Sequence, residues 1–404
     1  MISSSWKNGR IKDLIESLEF GVSVNGEDRV PSEDEPAVLK VSSVTYGVFD
    51  PTASKPIIHR DLARAKCNPK AGQIVISRAS GTARHVGACV FIDKDYPNRF
   101  LPDKLWQTVP KPGINTDMKW LFYVLTSQKI KTRIVHLATG TNIKNVTQSE
   151  LLSIPISIPP YIEQTAIADL LSTWDEAIEK TEKLIAEKER QFSWLAQRLI
   201  RARVGKWKHF KVKKMFKPIS EKKNGDCELL SVTQDRGVIP RSMLRGRVMS
   251  PQGSTDSYKL IKKGDFAISL RSFQGGIEYS EYQGVISPAY TVLRPIVELH
   301  DDFYRHFFKS RLFVEKYLSI AVIGIRDGKQ VSIPDFMTVK IPYPPLHEQK
   351  SIATDLNTAQ QELSLLTSLV ATYRKQKCGL MQKLLAGVWR VKPEIAKKHK
   401  GTQG

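Results

Sequence analysis

Ile158-Pro159-Pro160-Tyr161-Ile162-Glu163-Gln164 opens a long helical stretch near the middle of the chain. Tyr343-Pro344-Pro345-Leu346-His347-Glu348-Gln349 opens another near its end, 185 residues later. The same offset relates Ile167 to Ile352, Leu171 to Leu356, Leu195 to Leu380 and Leu199 to Leu384, without a gap. A repeat of this period, with long helical spacers between dissimilar globular halves, is an architecture in itself.

In the first copy, apolar or aromatic residues recur at Ile167, Leu171, Trp174, Ile178, Ile185, Phe192, Leu195 and Leu199. The steps alternate four and three, a heptad seam, with Thr181 and Lys188 as polar exceptions. A helix from Glu163 to Ile200 is predicted, about 57 Å long, with no Gly or Pro inside it and a Pro-Pro start. The second copy places Ile352, Leu356, Ala359, Leu363, Leu366, Val370, Tyr373, Leu380 and Leu384 on its seam, with Lys377 among them and Gly387 as the stop. Two seamed helices of this length, separated by a globular segment, are expected to pair antiparallel. Their core is expected to hold Ile167, Leu171, Trp174, Ile178, Ile185, Ile352, Leu356, Leu363, Leu366 and Val370.

The intervening segments also echo each other. Gly72-Gln73 followed by Ile74 to Ser77 reads as a turn and a buried strand, and Gly264-Asp265 followed by Phe266 to Ser269 repeats it. Asn115-Thr116-Asp117 caps a predicted helix from Lys119 to Ser127, and His300-Asp301-Asp302 opens another through Phe303, Tyr304, Phe307 and Phe308. Trp6-Lys7 before Ile11-Lys12 corresponds to Trp207-Lys208 before Val212-Lys213. The order is domain, helix, domain, helix, with a basic tail after residue 390.

At 404 residues, 25% charged and 41% hydrophobic, the chain is globular and long enough for two cores. Its formal net charge of +21 points to a polyanionic partner, most simply nucleic acid. Cys67, Cys89, Cys227 and Cys378 are scattered, which argues against a zinc site or a disulfide framework and fits a reducing, cytoplasmic setting. No apolar run is long enough to span a membrane, and the first residues lack the apolar core of a signal peptide.

Several motifs imitate catalysis. Pro159-Pro160-Tyr161 resembles part of an amino-methyltransferase motif, but that chemistry needs an acceptor side chain where Ile158 stands. Pro102-Asp103 with Asp117-Met118-Lys119 fits a permissive nuclease pattern, yet Asp117 already has a role at a helix start. No phosphate-binding Gly-Lys loop is present, and the eight histidines are dispersed. No catalytic residue, metal ligand or cofactor of this chain's own is expected.

The candidate DNA-contacting residues lie on two polar, glycine-containing loops per half. After the matched strands come Arg78, Ser80, Thr82, Arg84 and His85 in the first half, and Arg271, Ser272 and Gln274 in the second. Before the long helices come Asn142 and Lys144, and Arg326, Lys329 and Gln330. Arginine suits guanine edges or phosphate, Gln suits adenine, and glycine lets backbone approach a duplex. The lysines between Lys206 and Lys223 form a basic stretch suited to phosphate steering.

These features resemble the specificity (S, HsdS-type) subunit of type I restriction–modification enzymes. The resemblance rests on the paired Pro-Pro-x-x-Glu-Gln-x-x-Ile-Ala starts at Pro159 to Ala168 and Pro344 to Ala353. It also rests on Leu195-Ala196-Gln197-Arg198-Leu199-Ile200, echoed at Leu380 to Leu385, and on Gly264 to Ser269. It implies an α+β fold: two mixed α/β target recognition domains joined by two long antiparallel helices forming a coiled coil, with a pseudo-twofold internal repeat. The expected divisions are 1–160 and 204–345 for the recognition domains, 161–203 and 346–389 for the spacer helices, and 390–404 for the tail. The resemblance further implies bipartite recognition of double-stranded DNA, docking of two methyltransferase subunits and of restriction subunits, and methyl donor, ATP and Mg on those partners. Gly72-Gln73 departs from the family, where an acid more often follows the glycine. Two other classes remain open on the residues alone: a self-contained methyltransferase or nuclease, and a coiled-coil scaffold without a DNA role.

Overall fold

The computed structural model describes residues 6–244, 255–269, 275–323 and 330–391. Two compact units divide the chain, residues 1–180 with 370–404, and residues 181–369. Each mixes helix and sheet.

In the first unit a four-stranded antiparallel sheet runs in the order Ile15–Phe20, Leu105–Pro110, Ile74–Ser77, Cys89–Phe91. The strand Ile74–Ser77 is buried along its whole length, as a central strand with both faces covered must be. One face carries Ile74 and Ile76 into a core with Trp106, Trp120, Leu121 and Leu151. Val75 points into a smaller cluster with Val44, Val90 and Leu101. The aromatic helix spans Met118–Thr126, one residue earlier at each end than predicted, and the Asp117 carboxylate caps it by accepting from Trp120 N at 2.8 Å.

The second unit uses the same plan. Its sheet runs Phe216–Ile219, Tyr290–Pro295, Phe266–Ser269, Ile277–Tyr279, again antiparallel throughout. The helix Asp301–Lys309 packs on it with an aromatic core of Phe216, Phe266, Phe303, Tyr304, Phe307, Phe308 and Phe313. In both units a strand just after a tryptophan pairs with the strand that leads into a Pro-Pro start: Lys7–Arg10 with Pro155–Ile158, and Lys208–Lys211 with Lys340–Tyr343.

The first long helix spans Tyr161–Ala196 and ends in a π turn, Gln197–Arg201, so its α-helical part stops four residues short of the predicted Ile200. The second spans Leu346–Leu385. Pro160 and Pro345 each accept two opening backbone bonds, from Glu163 and Gln164 and from Glu348 and Gln349, at 2.9 and 3.0 Å in both copies. The second helix stops where expected, with Gly387 N–H donating to Leu384 O and Val388 N–H to Lys383 O, a Schellman closure.

The seam positions are the shielded ones. Ile167, Leu171, Ile352, Leu356 and Val370 are buried, while Trp174, Ile178, Ile185, Leu363 and Leu366 are half-buried. Within the first unit the two helical segments run antiparallel: Arg390 clasps Glu163 at 2.6 and 2.8 Å, Lys377 pairs with Asp175, and Trp174 meets Tyr373 edge-on at 5.6 Å. Lys377, the polar residue on the seam, thus has a partner carboxylate, which also accepts from Tyr123 OH at 2.7 Å. Within the second unit Lys188, the corresponding exception on the first helix, pairs with Glu362 at 2.8 Å, and Ile200 joins the cluster of Ile352 and Leu356.

The Glu-Gln pair of each repeat fastens a helix start to its own domain. Glu163 accepts from the Trp6 indole at 3.0 Å, and Glu348 from the Trp207 indole at 3.1 Å. Gln164 accepts from Asp117 N at 3.0 Å and donates to Pro159 O at 2.9 Å. Gln349 accepts from His300 N at 2.8 Å and donates to Pro344 O at 2.8 Å. Both glutamine side chains are buried with every bond made to backbone, which explains why the pair recurs as a unit.

Candidate nucleic-acid interface

In the first unit the two predicted loops meet. The segment after Ser77 is a hairpin tip, closed by Ser77 N donating to Ala88 O at 2.8 Å and Gly87 N to Ser77 O at 2.7 Å. The segment before the first long helix is a second tip, closed by reciprocal bonds between Thr139 and Asn145 at 2.9 and 2.8 Å. Short strands at their flanks pair, Ser80 with Lys144 and Ala79 with Asn145, so the two tips form one surface. Gly140 is required there: its φ is +111° and a Cβ would lie 2.2 Å from Ile143 O.

Thr82, Arg84 and Asn142 project into solvent, while Ser80, His85 and Lys144 are half-buried. Ser80 Oγ accepts from Thr82 N at 3.2 Å, which orders the first tip. Arg78 is held at its backbone by Lys104 O and Val146 N, both at 3.0 Å. Its Nη2 lies 3.8 Å from Asp103, and its Nε is buried with no acceptor among the described residues. A half-paired guanidinium of this kind has unused donor capacity. Asp103, read in the sequence only as part of a loose acidic pattern, is the residue that holds it.

A feature the sequence did not mark lies alongside. The helix Gln128–Leu137 buries Ile130 and Ile134 and exposes Lys129, Lys131, Arg133 and His136. Ile134 packs directly against Gly87 at the root of the first tip, so this basic face adjoins the loop surface. Its positive residues alternate with buried ones at helical spacing, the one signal that could have singled it out.

In the second unit Arg271, Ser272, Gln274, Arg326 and Lys329 lie outside the described residues. The roots of their loops are described. Gly276 has φ +84° and a Cβ there would lie 2.1 Å from Phe308 O, so only glycine fits this approach. Beside it Lys309 donates to Glu278 at 2.5 Å and to Gln234 O at 2.8 Å. Burial raises the Glu278 pKa, with Lys309 opposing the shift. Val322 pairs with Val331 at the root of the other loop, and Gln330 beside it is exposed. The lysines from Lys206 to Lys223 are all exposed, on the strands Lys208–Lys211 and Phe216–Ile219 and their flanks.

Elsewhere in the first unit a groove of about 540 Å³ is lined by Leu170, Leu380, Leu384, Val388 and Trp389 together with Asp169 and Arg390. Among the described residues no group of His, Cys, Asp and Glu is placed to hold a metal, and no helix is long and apolar enough to cross a membrane.

The family described as "Type I restriction modification DNA specificity domain" matches the chain twice, over residues 3–190 and 205–368. A type I restriction enzyme specificity subunit of Methanocaldococcus jannaschii is 23% identical over 97% of this chain and 95% of its own. A second from the same organism is 26% identical over 68% of this chain and 71% of its own. The crystal structure of a type I restriction–modification S subunit from M. genitalium aligns over 95% of this chain and 97% of that one, with a TM-score of 0.56 and 18% identity. The HsdS subunit from Thermoanaerobacter tengcongensis aligns over the same shares, with a TM-score of 0.50 and 18% identity. With two matches that together cover most of the sequence, one in each half, the chain belongs to the type I restriction–modification specificity subunit family.

Proposed function

We propose that this chain is the non-catalytic, sequence-reading subunit of a cytoplasmic type I restriction–modification complex. It reads an asymmetric, bipartite DNA target, one half-site through domain 1–160 and the other through domain 204–345. Helices 161–203 and 346–389 form an antiparallel coiled coil that sets the distance between half-sites, with the two domains related by a pseudo-twofold. Two modest half-site affinities become one strong one only when both match at the correct gap.

The observation that carries this reading is the merging of two hairpin tips into one polar surface, with Arg78, Arg84 and Lys144 on it and the basic helix beside it. The net charge of +21 supports a phosphate backbone as partner. The apolar groove around Leu170 and Trp389 supports docking of a methyltransferase subunit. In the proposed complex two such subunits bind, and restriction subunits join that core. A solved structure on complex assembly and conformational transition of the type I system, 16% identical with a TM-score of 0.56, supports an assembly of this kind. Methyl donor, ATP and Mg belong to those partners.

The test is selection of preferred targets from random DNA by this chain assembled with its methyltransferase. Two conserved blocks separated by a fixed gap support the reading; a single block, or none, overturns it. Methyl transfer by the highly purified chain alone would overturn the non-catalytic assignment.

A further inference from the structure

Beside the merged tips stands a projection that none of the candidate residues includes. The segment Val41–Phe49 carries no charged residue, in a chain whose net charge is +21. It begins as a 3-10 turn, Val41–Val44, and its neck is closed by Asp50 N donating to Ser43 O at 3.0 Å. Thr45 Oγ1 donates to Val41 O at 3.0 Å, and Asp50 in turn accepts from Thr52 Oγ1 at 2.6 Å. Val44 is fully buried in the cluster of Val75, and the Phe49 ring packs edge-on to Tyr96 at 4.8 Å. The loop is therefore rooted on the strand Ile74–Ser77, whose end carries the first tip.

On this pinned base Tyr46 and Val48 point outward, 81% and 77% exposed, with Gly47 between them. Single exposed apolar residues are ordinary, but two at the apex of a loop whose other apolar side chains, Val41, Val44 and Phe49, are half-buried or buried in its base form a wedge. The Tyr46 ring meets His85 of the reading tip edge-on at 6.4 Å. Arg84, adjacent to His85, supplies the nearby positive charge. An uncharged aromatic apex with a cationic side chain, Arg84, on the adjoining tip matches the cross-section of a nucleic acid, in which anionic backbone borders apolar base faces.

We propose that Tyr46 is a further specificity residue: its ring packs against a base of the half-site read by the first domain, as a wedge into the groove, with His85 bracing it. The inference rests on the DNA-reading assignment above. Wedge side chains of this type loosen a base step, so the sequence is read partly through how easily that step opens.

The assembled complex, its selected target duplex and the variants Tyr46→Ala and Tyr46→Phe test it. Tyr46→Ala should weaken binding roughly five- to 150-fold, the range that loss of one base–aromatic stack brings. Its dependence on salt should match that of the parent, because no phosphate contact is lost. Tyr46→Phe should bind as the parent does, because stacking needs the ring and not the hydroxyl. Thermal midpoints should agree for all three, since the side chain is exposed. Undiminished binding by Tyr46→Ala, a shallower salt slope in it, or equal loss in Tyr46→Phe would overturn the proposal. If the parent complex itself selects no DNA sequence, the DNA-reading assignment fails instead.

Discussion

The indole of Trp207 donates to the Glu348 carboxylate at 3.1 Å, joining the entry to the strand Lys208–Lys211 to the first turn of the second long helix. Trp6 makes the same bond to Glu163 at 3.0 Å. Trp207 is buried, so an indole N–H without its acceptor costs about 1–3 kcal/mol. Glu348→Ala should therefore destabilise the second domain by about that amount in urea unfolding. Glu348→Gln, which keeps an acceptor oxygen, should cost less. Equal losses in both variants would contradict the assignment.

The glycine at the root of the second reading loop should tolerate no side chain. Gly276→Ala forces a Cβ against Phe308 O at a positive φ, and the loss should exceed about 1 kcal/mol. Unchanged stability in equilibrium unfolding would contradict the close approach.

Much of this fold could be read in the residues, because its strongest determinants are local. The heptad seam fixes which face of each helix is shielded, and even Lys188 and Lys377 sit at seam positions and find Glu362 and Asp175. The Asp117 cap and the Gly387 stop follow from the chemistry of helix ends. Contacts between distant segments could not be read this way. Nothing near Ser80 or Lys144 announces that the two will pair, because a two-residue bridge leaves no periodic trace. Asp103 near Arg78 and the projection of Tyr46 likewise depend on how the sheet places its loops. The π turn after Ala196 left no mark in the apolar pattern, because Leu199 continues the seam through it.

Stability of the second unit should depend on His306. Burial lowers its pKa from the ordinary 6.5, and its Nε2 lies 2.8 Å from Asn357 Oδ1, while Asn357 donates to Asp302 at 2.8 Å. The folded state thus binds a proton less readily than the unfolded chain. Its contribution is fully present above the unfolded pKa and is lost as pH falls through the lower folded one. Between pH 7 and 5 the parent should lose more stability than His306→Gln. Identical slopes for the two would contradict a buried, neutral imidazole.

DNA binding should weaken linearly on a log–log plot against salt, by roughly 0.9 per phosphate neutralised. Exchanging Lys211, Lys213 and Lys214 for Gln should reduce that slope without changing the selected sequence. A flat plot for the parent would contradict a phosphate-bearing partner.

Arg78→Ala and Arg84→Ala should alter one half-site and leave the other intact. Where an arginine reads a guanine edge, its loss costs about 1–3 kcal/mol of discrimination. Where it holds phosphate, all targets weaken alike. Target selection with each variant complex distinguishes the two, and blurring of both half-sites by one substitution would contradict one domain per half-site.

The claim that two readers are joined by a helical ruler is tested most directly by inserting one heptad into each long helix, after Lys180 and after Leu369. Seven residues add about 10 Å of helix, close to three base pairs at roughly 3.4 Å each. The folded variant complex, selecting from random DNA, is predicted to recover the two parental half-sites with a gap longer by about three base pairs. Recovery of the parental gap by a folded variant would contradict the account.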